Sequence, residues 1–128
     1  MTERERVLAL LRRHGWNSTS FQVLEPGFRY WFDRDDACVG YVDTGRAWVV
    51  AGPPIAPADR LAEVAARFAD AARAADRRTA WFGTERRFSS ATTWPALRIG
   101  DQPVWSPAAW AGVVERSKNL REQLRRAR

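Results

Sequence analysis

The chain has 128 residues, of which 45% are hydrophobic and 28% charged, with a net charge of +6. That length suits one domain with a real core, and the balance excludes a disordered or low-complexity chain. A single cysteine, Cys38, and a single histidine, His14, exclude a disulfide framework, a thiolate zinc site and a convincing Ser/His/Asp or Cys/His arrangement.

The positive balance favours anionic partners: nucleic acid, phosphate groups or an acidic membrane surface. Of the 21 basic residues only Lys118 is lysine. With the abundant alanines, this skew to arginine reflects G- and C-rich codons, so the position of the charge says more than its total. From Glu115 to Arg128 six basic residues face two acidic ones, which places +4 of the net +6 in the last 14 positions.

Thr2 and Glu5 form a capping-box pattern. It opens a helix over residues 3–14, with Val7, Leu8, Leu10 and Leu11 on its apolar side and His14-Gly15 closing it. The N-terminal Met1-Thr2-Glu3-Arg4-Glu5 is no signal peptide, and no apolar run approaches a membrane span. The expected location is the cytoplasm, with peripheral contact at a membrane left open.

Phe21–Leu24 reads as a first strand ended by Pro26-Gly27. Phe28–Phe32, Cys38–Val42 and Ala47–Ala51 follow as strands joined by short polar turns, an antiparallel meander. Gly52-Pro53-Pro54-Ile55-Ala56-Pro57 interrupts it. Leu61, Val64, Ala65, Phe68, Ala72 and Ala75 then keep helical spacing on one face, with Asp59, Arg60, Glu63, Arg67, Asp70 and Arg73 mostly on the other. Thr79–Gly83 reads as a short, buried, central strand. Ala96–Gly100 and Pro103–Trp105 read as a strand pair about a Gly-Asp turn, and Ser106-Pro107 opens a short helix through Val114.

The last element, Lys118–Arg128, is amphipathic: Leu120, Leu124 and Ala127 make one stripe and Arg121, Arg125 and Arg128 another. It carries no C-terminal Gly, Asn or Pro. The expectation is that something follows it or docks on it. The fold class is α/β: one acetyltransferase-type (GNAT-like) lobe at 1–114, with a mixed, mostly antiparallel sheet flanked by helices, then a basic helix at 115–128.

Two places could hold chemistry. The break at Gly52 and Pro53 lies where acetyltransferases of this fold bind a coenzyme diphosphate through loop amides. Its three prolines remove donors, which favours a stiff helix-leading loop, and no cofactor is expected. Glu85, Arg86 and Arg87 follow the expected central strand, where ligands often bind in open sheets. A carboxylate beside two guanidinium groups suits an acidic substrate or a base, and equally a solvated surface run. Gly52, Pro53, Glu85, Arg86 and Arg87 are thus the candidate substrate cleft, with no residue assigned as catalytic. Lys118, Arg121, Arg125 and Arg126 are candidates for salt-sensitive phosphate contacts, or a solvated face. Cys38 reads as a small core residue, His14 as a helix-end cation, and no carboxylate cluster points to a metal. Most of the seven tryptophans read as packing; Trp94, Trp105 and Trp110 could line a groove.

Several segments taken in order resemble one family: Leu11–Gly15, Gly40-Tyr41-Val42, Ala51–Pro57, Trp81-Phe82-Gly83, Ile99–Val104 and Lys118–Ala127. They are similar to the catalytic domain of bacterial phosphatidylglycerol lysyltransferases and related aminoacyl-tRNA-dependent transferases. The resemblance implies two tandem acetyltransferase-like lobes, the basic helix leading from the first to the second, and transfer of an aminoacyl group from charged tRNA to an acceptor such as an anionic lipid. It covers the first lobe only. Gly52-Pro53-Pro54-Ile55 departs from the family's Gly-Asp-Pro-Val form and loses the Asp. The expectation is a first lobe, inactive until it pairs with a second lobe or a second copy. The alternatives are a non-catalytic module dimerising through its terminal helix, and a small coenzyme A-dependent N-acetyltransferase.

Overall fold

Helix α1 (Glu3–His14) begins at the capping box: Thr2 Oγ1 accepts from the Glu5 amide at 3.2 Å, and Glu5 Oε2 accepts from the Thr2 amide at 2.8 Å. In the computed structural model, which describes residues 1–128, a 3-10 segment (Ser18–Leu24) follows, then β1 (Arg29–Asp33), β2 (Ala37–Asp43), β3 (Ala47–Ala51), α2 (Leu61–Ala74), β4 (Arg78–Phe82) and the short α3 (Arg86–Ser89). Beyond them lie α4 (Trp110–Arg116) and α5 (Lys118–Arg126). The chain forms two compact units, Met1–Ala96 and Leu97–Arg128. The sequence division at 114/115 follows charge, whereas this one follows contacts. No helix is long and apolar enough to cross a membrane.

The first unit is a mixed α/β layer structure around a four-stranded sheet of order β1-β2-β3-β4. The meander β1–β3 is antiparallel, and β3 and β4 are parallel. A parallel neighbour needs a crossover, which α2 supplies. Successive residues of β2 serve opposite faces. Ala37, Val39 and Tyr41 pack with Val50, Leu61, Val64 and Phe68 beneath α2, while Cys38 packs with Val7, Leu10, Leu11, Val23 and Ile55 beneath α1. Gly40 is where the 3-10 segment touches the strand: a Cβ there would lie 2.7 Å from Val23 Cβ. Phe68 is the hub of the first core, with the rings of Trp31, Tyr41, Trp48 and Trp81 centred 5.5–5.7 Å away.

Three sequence expectations fail for identifiable reasons. Phe21–Leu24 is 3-10 helix, not strand. Asn17 Oδ1 accepts from the Ser20 amide at 3.1 Å and Thr19 Oγ1 at 2.6 Å, and these local bonds outcompete a ladder. The strand 79–83 lies at the sheet edge, with Phe82 exposed. Residues 96–105 form no strands. A lone hairpin has no third strand to bury against, and Pro95, Pro103 and Pro107 remove donors.

A charged cluster, drawn in part from the face of α2 opposite its apolar one, ties β1 to α2. Buried Asp33 pairs with Arg60 Nη2 at 2.6 Å and Arg67 Nε at 3.0 Å. Arg60 also bonds Asp36 and, through Nε at 3.2 Å, Glu63. Hydrogen bonds from Arg60 hold the Asp36 and Glu63 carboxyls below their usual range, and one from Arg77 does the same for Asp43. Groups with lowered folded pKa values stabilise the fold above their ordinary values and lose that contribution as pH falls through the lowered ones. Urea unfolding should therefore give constant stability from about pH 7 to about pH 5, then a decline through and below the ordinary carboxylate range. Stability that held or rose between about pH 4.5 and pH 3 would contradict this role.

Candidate functional site

The parallel strands β3 and β4 end side by side, with Ala51 opposite Phe82. Just beyond, the Gly52 amide donates to Phe82 O at 2.8 Å. Gly52 (φ +78°) then turns the chain through the left-handed region. Pro53 and Pro54 stand off the ladder, because Ile55 rejoins β2 by exchanging both backbone bonds with Cys38, at 2.9 and 3.0 Å. Of the three amides that Gly52–Pro57 retains, those of Gly52 and Ile55 are thus committed within the sheet. The segment works as a brace between strands and has few donors for a diphosphate.

Glu85, Arg86 and Arg87 leave the end of β4. The structure turns Glu85 and Arg87 toward the corner between α1 and the 3-10 segment. Trp16 Nε1 donates to Glu85 Oε2 at 2.7 Å, and Asn17 Nδ2 donates to Glu85 Oε1. The Arg87 guanidinium lies 4.4 Å from the Trp16 ring centroid. Arg86 is exposed at the start of α3. Both carboxylate oxygens of Glu85 are therefore occupied, and action as a base would cost a bond that pins the corner. Trp16 and Asn17 are the members of this cluster that the sequence reading missed. Their one local signal is position: they follow the α1 C-cap Gly15 and precede a Ser-Thr-Ser run.

In the second unit, Ser117 breaks the chain between α4 and α5, and its hydroxyl caps α5 by accepting from the Leu120 amide at 3.3 Å. Lys118, Arg121, Glu122 and Arg125 line a shallow, open concavity. Arg121 is partly spent: its Nη1 donates to Val114 O at 3.2 Å and to Glu115 O, the last carbonyls of α4. Lys118, Arg125 and Arg126 remain exposed. No residue of α4 or α5 is fully buried. Leu97 and Val104 are 86% and 85% exposed, with Ile99 and Trp105 also open.

Residues 8–128 match the family described as phosphatidylglycerol lysyltransferase, C-terminal. The chain belongs to that family. Its fold is similar to that of L-PGS from Bacillus licheniformis, with a TM-score of 0.61 at 24% identity over 68% of this chain and 27% of that one. It is also similar to the C-terminal domain of an Agrobacterium fabrum protein assigned as a lysylphosphatidylglycerol synthetase, with a TM-score of 0.59 at 22% identity over 69% of this chain and 28% of that one. The chain thus covers just over a quarter of either structure. No curated protein matches it.

In this member of the phosphatidylglycerol lysyltransferase C-terminal family, no group of three or more His, Cys, Asp or Glu side chains gathers as metal ligands would. Its one thiol, Cys38, is buried between α1 and the sheet, and burial pushes its pKa up to about 12. So little thiolate exists at neutral pH that a disulfide reagent should label the native chain at least ~100-fold more slowly than the urea-unfolded chain. Equal rates would mean that the strand opens freely or that the thiol is accessible.

Proposed function

We propose that the chain is one lobe of an aminoacyl-tRNA-dependent aminoacyltransferase of the phosphatidylglycerol lysyltransferase kind, and that its cleft takes its other wall from a second lobe of acetyltransferase type or a second copy. The supporting observation is family membership over residues 8–128 in a chain that spans just over a quarter of the structures it resembles.

In the transfer, an acceptor hydroxyl or amine attacks the ester carbonyl of the charged tRNA. The new acyl bond forms, the ribose oxygen leaves, and the acceptor's proton ends on that oxygen. The step needs acceptor, ester and stabilising donors held together away from water. At the ends of β3 and β4 the Gly52 amide is committed to Phe82, the Ile55 amide to Cys38, and the Glu85 carboxylate to Trp16 and Asn17. This lobe's contribution is a wall and a cationic face. Lys118, Arg125 and Arg126 supply phosphate contacts for tRNA, with an anionic lipid as acceptor at the same positive surface. No cofactor enters the scheme, and the committed amides argue against the coenzyme A alternative.

Binding of labelled tRNA should weaken steeply between about 50 and 200 mM salt, and replacing Lys118, Arg125 and Arg126 together by Ala should reduce the slope of log affinity against log salt by about 2–3. Binding that ignores salt, or none at 50 mM, would remove the nucleic-acid role. Arg121 is left intact because it caps α4.

A second reading, an interaction module that pairs through α5, draws on the exposed Leu97, Ile99, Val104, Trp105 and Leu124 of the second unit. Sedimentation velocity at rising concentration should show self-association that Leu120→Glu with Leu124→Glu abolishes. A wild-type chain monomeric at every concentration would leave the helix to a different partner.

A further inference from the structure

We infer that the Trp16–Arg87 stack is a platform on which an unpaired RNA nucleotide lies; the choice of RNA rests on the functional reading above. Trp31, Trp48 and Trp81 pack against the core, whereas Trp16 is 57% exposed. A ring so exposed gains little from folding. It is nevertheless fixed at three points. Its backbone N–H donates to Ser20 Oγ at 3.2 Å, its indole N–H donates to Glu85 Oε2 at 2.7 Å, and the Arg87 guanidinium stacks 4.4 Å from its centroid. Asn17 bonds the other oxygen of Glu85, which locks the carboxylate that positions the ring.

What this corner offers a ligand is therefore a rigid π surface and positive charge. The indole N–H is committed, so no polar edge is left to read a base, and stacking on such a surface tolerates any base. Arg86, next to Arg87 in the chain, is exposed, and Arg12 and Arg13 stand exposed in the last turn of α1. Arg87 thus brings a guanidinium onto the ring itself, and guanidinium groups suit phosphate oxygens. A planar base, a planar guanidinium and an indole form a continuous stack, a mode by which proteins hold splayed single-stranded bases. The rival ligand is a lipid surface, which Phe21, also exposed on the 3-10 segment, would enter as well. Tryptophans at a lipid interface direct the indole N–H toward the wet side, and here Glu85 holds it.

The test is anisotropy of a labelled short single-stranded RNA, the same strand in a blunt duplex, and co-sedimentation with phosphatidylglycerol vesicles, all with the full 128-residue chain. Trp16→Ala should weaken single-strand binding roughly 5- to 100-fold and leave duplex binding unchanged. Trp16→Phe, which keeps a ring and loses the N–H, should retain most of the affinity. Arg87→Lys, which keeps the charge and loses the plane, should lose several-fold. A Trp16→Ala chain that melts like the wild type and binds single strands equally well overturns the inference. So does one that loses only vesicle binding, which would assign the corner to lipid. If Trp16→Ala fails to fold, the contrast between Trp16→Phe and Arg87→Lys decides. Duplex binding that depends on Lys118, Arg125 and Arg126 while single-strand binding ignores Trp16 sinks this inference alone; no RNA binding by the wild type at any salt sinks the reading beneath it.

Discussion

Strand β2 is buried on both faces, and the placement of everything else in the first unit follows from that constraint. Its odd positions from Ala37 to Tyr41 feed the core under α2, and Cys38 feeds the core under α1. A strand covered on both sides leaves no slack in register, since a slip of one residue exchanges the two faces. Gly40 adds a second lock, because its missing side chain is the space that Val23 occupies. The 3-10 segment is thereby pressed onto the sheet, and the Tyr30 hydroxyl fastens it by donating to Val23 O at 2.7 Å. That placement carries the corner at Trp16 and Asn17 to the end of β4, where Glu85 receives both. The aromatic corner is thus a consequence of how two cores share one strand.

Much of this was legible in the sequence. The capping box, the meander and the spacing of Leu61, Val64, Phe68 and Ala72 give α1, β1–β3 and α2 almost unaided, because each signal is local and repeats at the period of its element. The failures have two causes: a local side-chain bond that overrides strand propensity, and a dependence on a partner remote in sequence or on the lack of one. Phe21–Leu24 has strand-like residues, but Asn17 and Ser20 settle its backbone first. Ile99 and Val104 would suit a sheet that offers no strand to them. Arg60 and Arg67 occupy helix positions that look solvated, yet they reach Asp33 across the layer. The charged run Glu85–Arg87 was visible, whereas its bonds to Trp16 and Asn17 span 69 and 68 residues, a separation at which periodicity carries no information.

The two units differ in how far they satisfy themselves. The first spends its loop amides, buried carboxylate and ring hydroxyl on internal partners and closes two cores. The second leaves long apolar side chains in water and buries none of the residues of α4 or α5. Apolar surface of that kind is characteristic of a face meant to be covered. The contrast is one of packing: the first unit closes two cores, although His14 Nε2 and Trp81 Nε1 stay buried without a partner, whereas the second leaves its apolar side chains open.

Within the second unit, Arg121 explains how a mostly exposed helix can still present charge with definition. By donating to the last carbonyls of α4 it fixes the turn at Ser117, so α5 projects from a set angle. Lys118 and Arg125 lie seven residues apart, which at about 1.5 Å of rise per residue places them roughly 10 Å apart along one side. That spacing equals about one Debye length at 0.1 M salt. Below that salt their fields overlap and an approaching polyanion feels the helix as a single cationic edge; above it each charge must find its own phosphate. A flexible arginine tail would lose affinity to salt in the same way but would hold no register. The rise of α5 sets the spacing of these cations, and the arginine spent as a cap sets the direction in which the helix presents them.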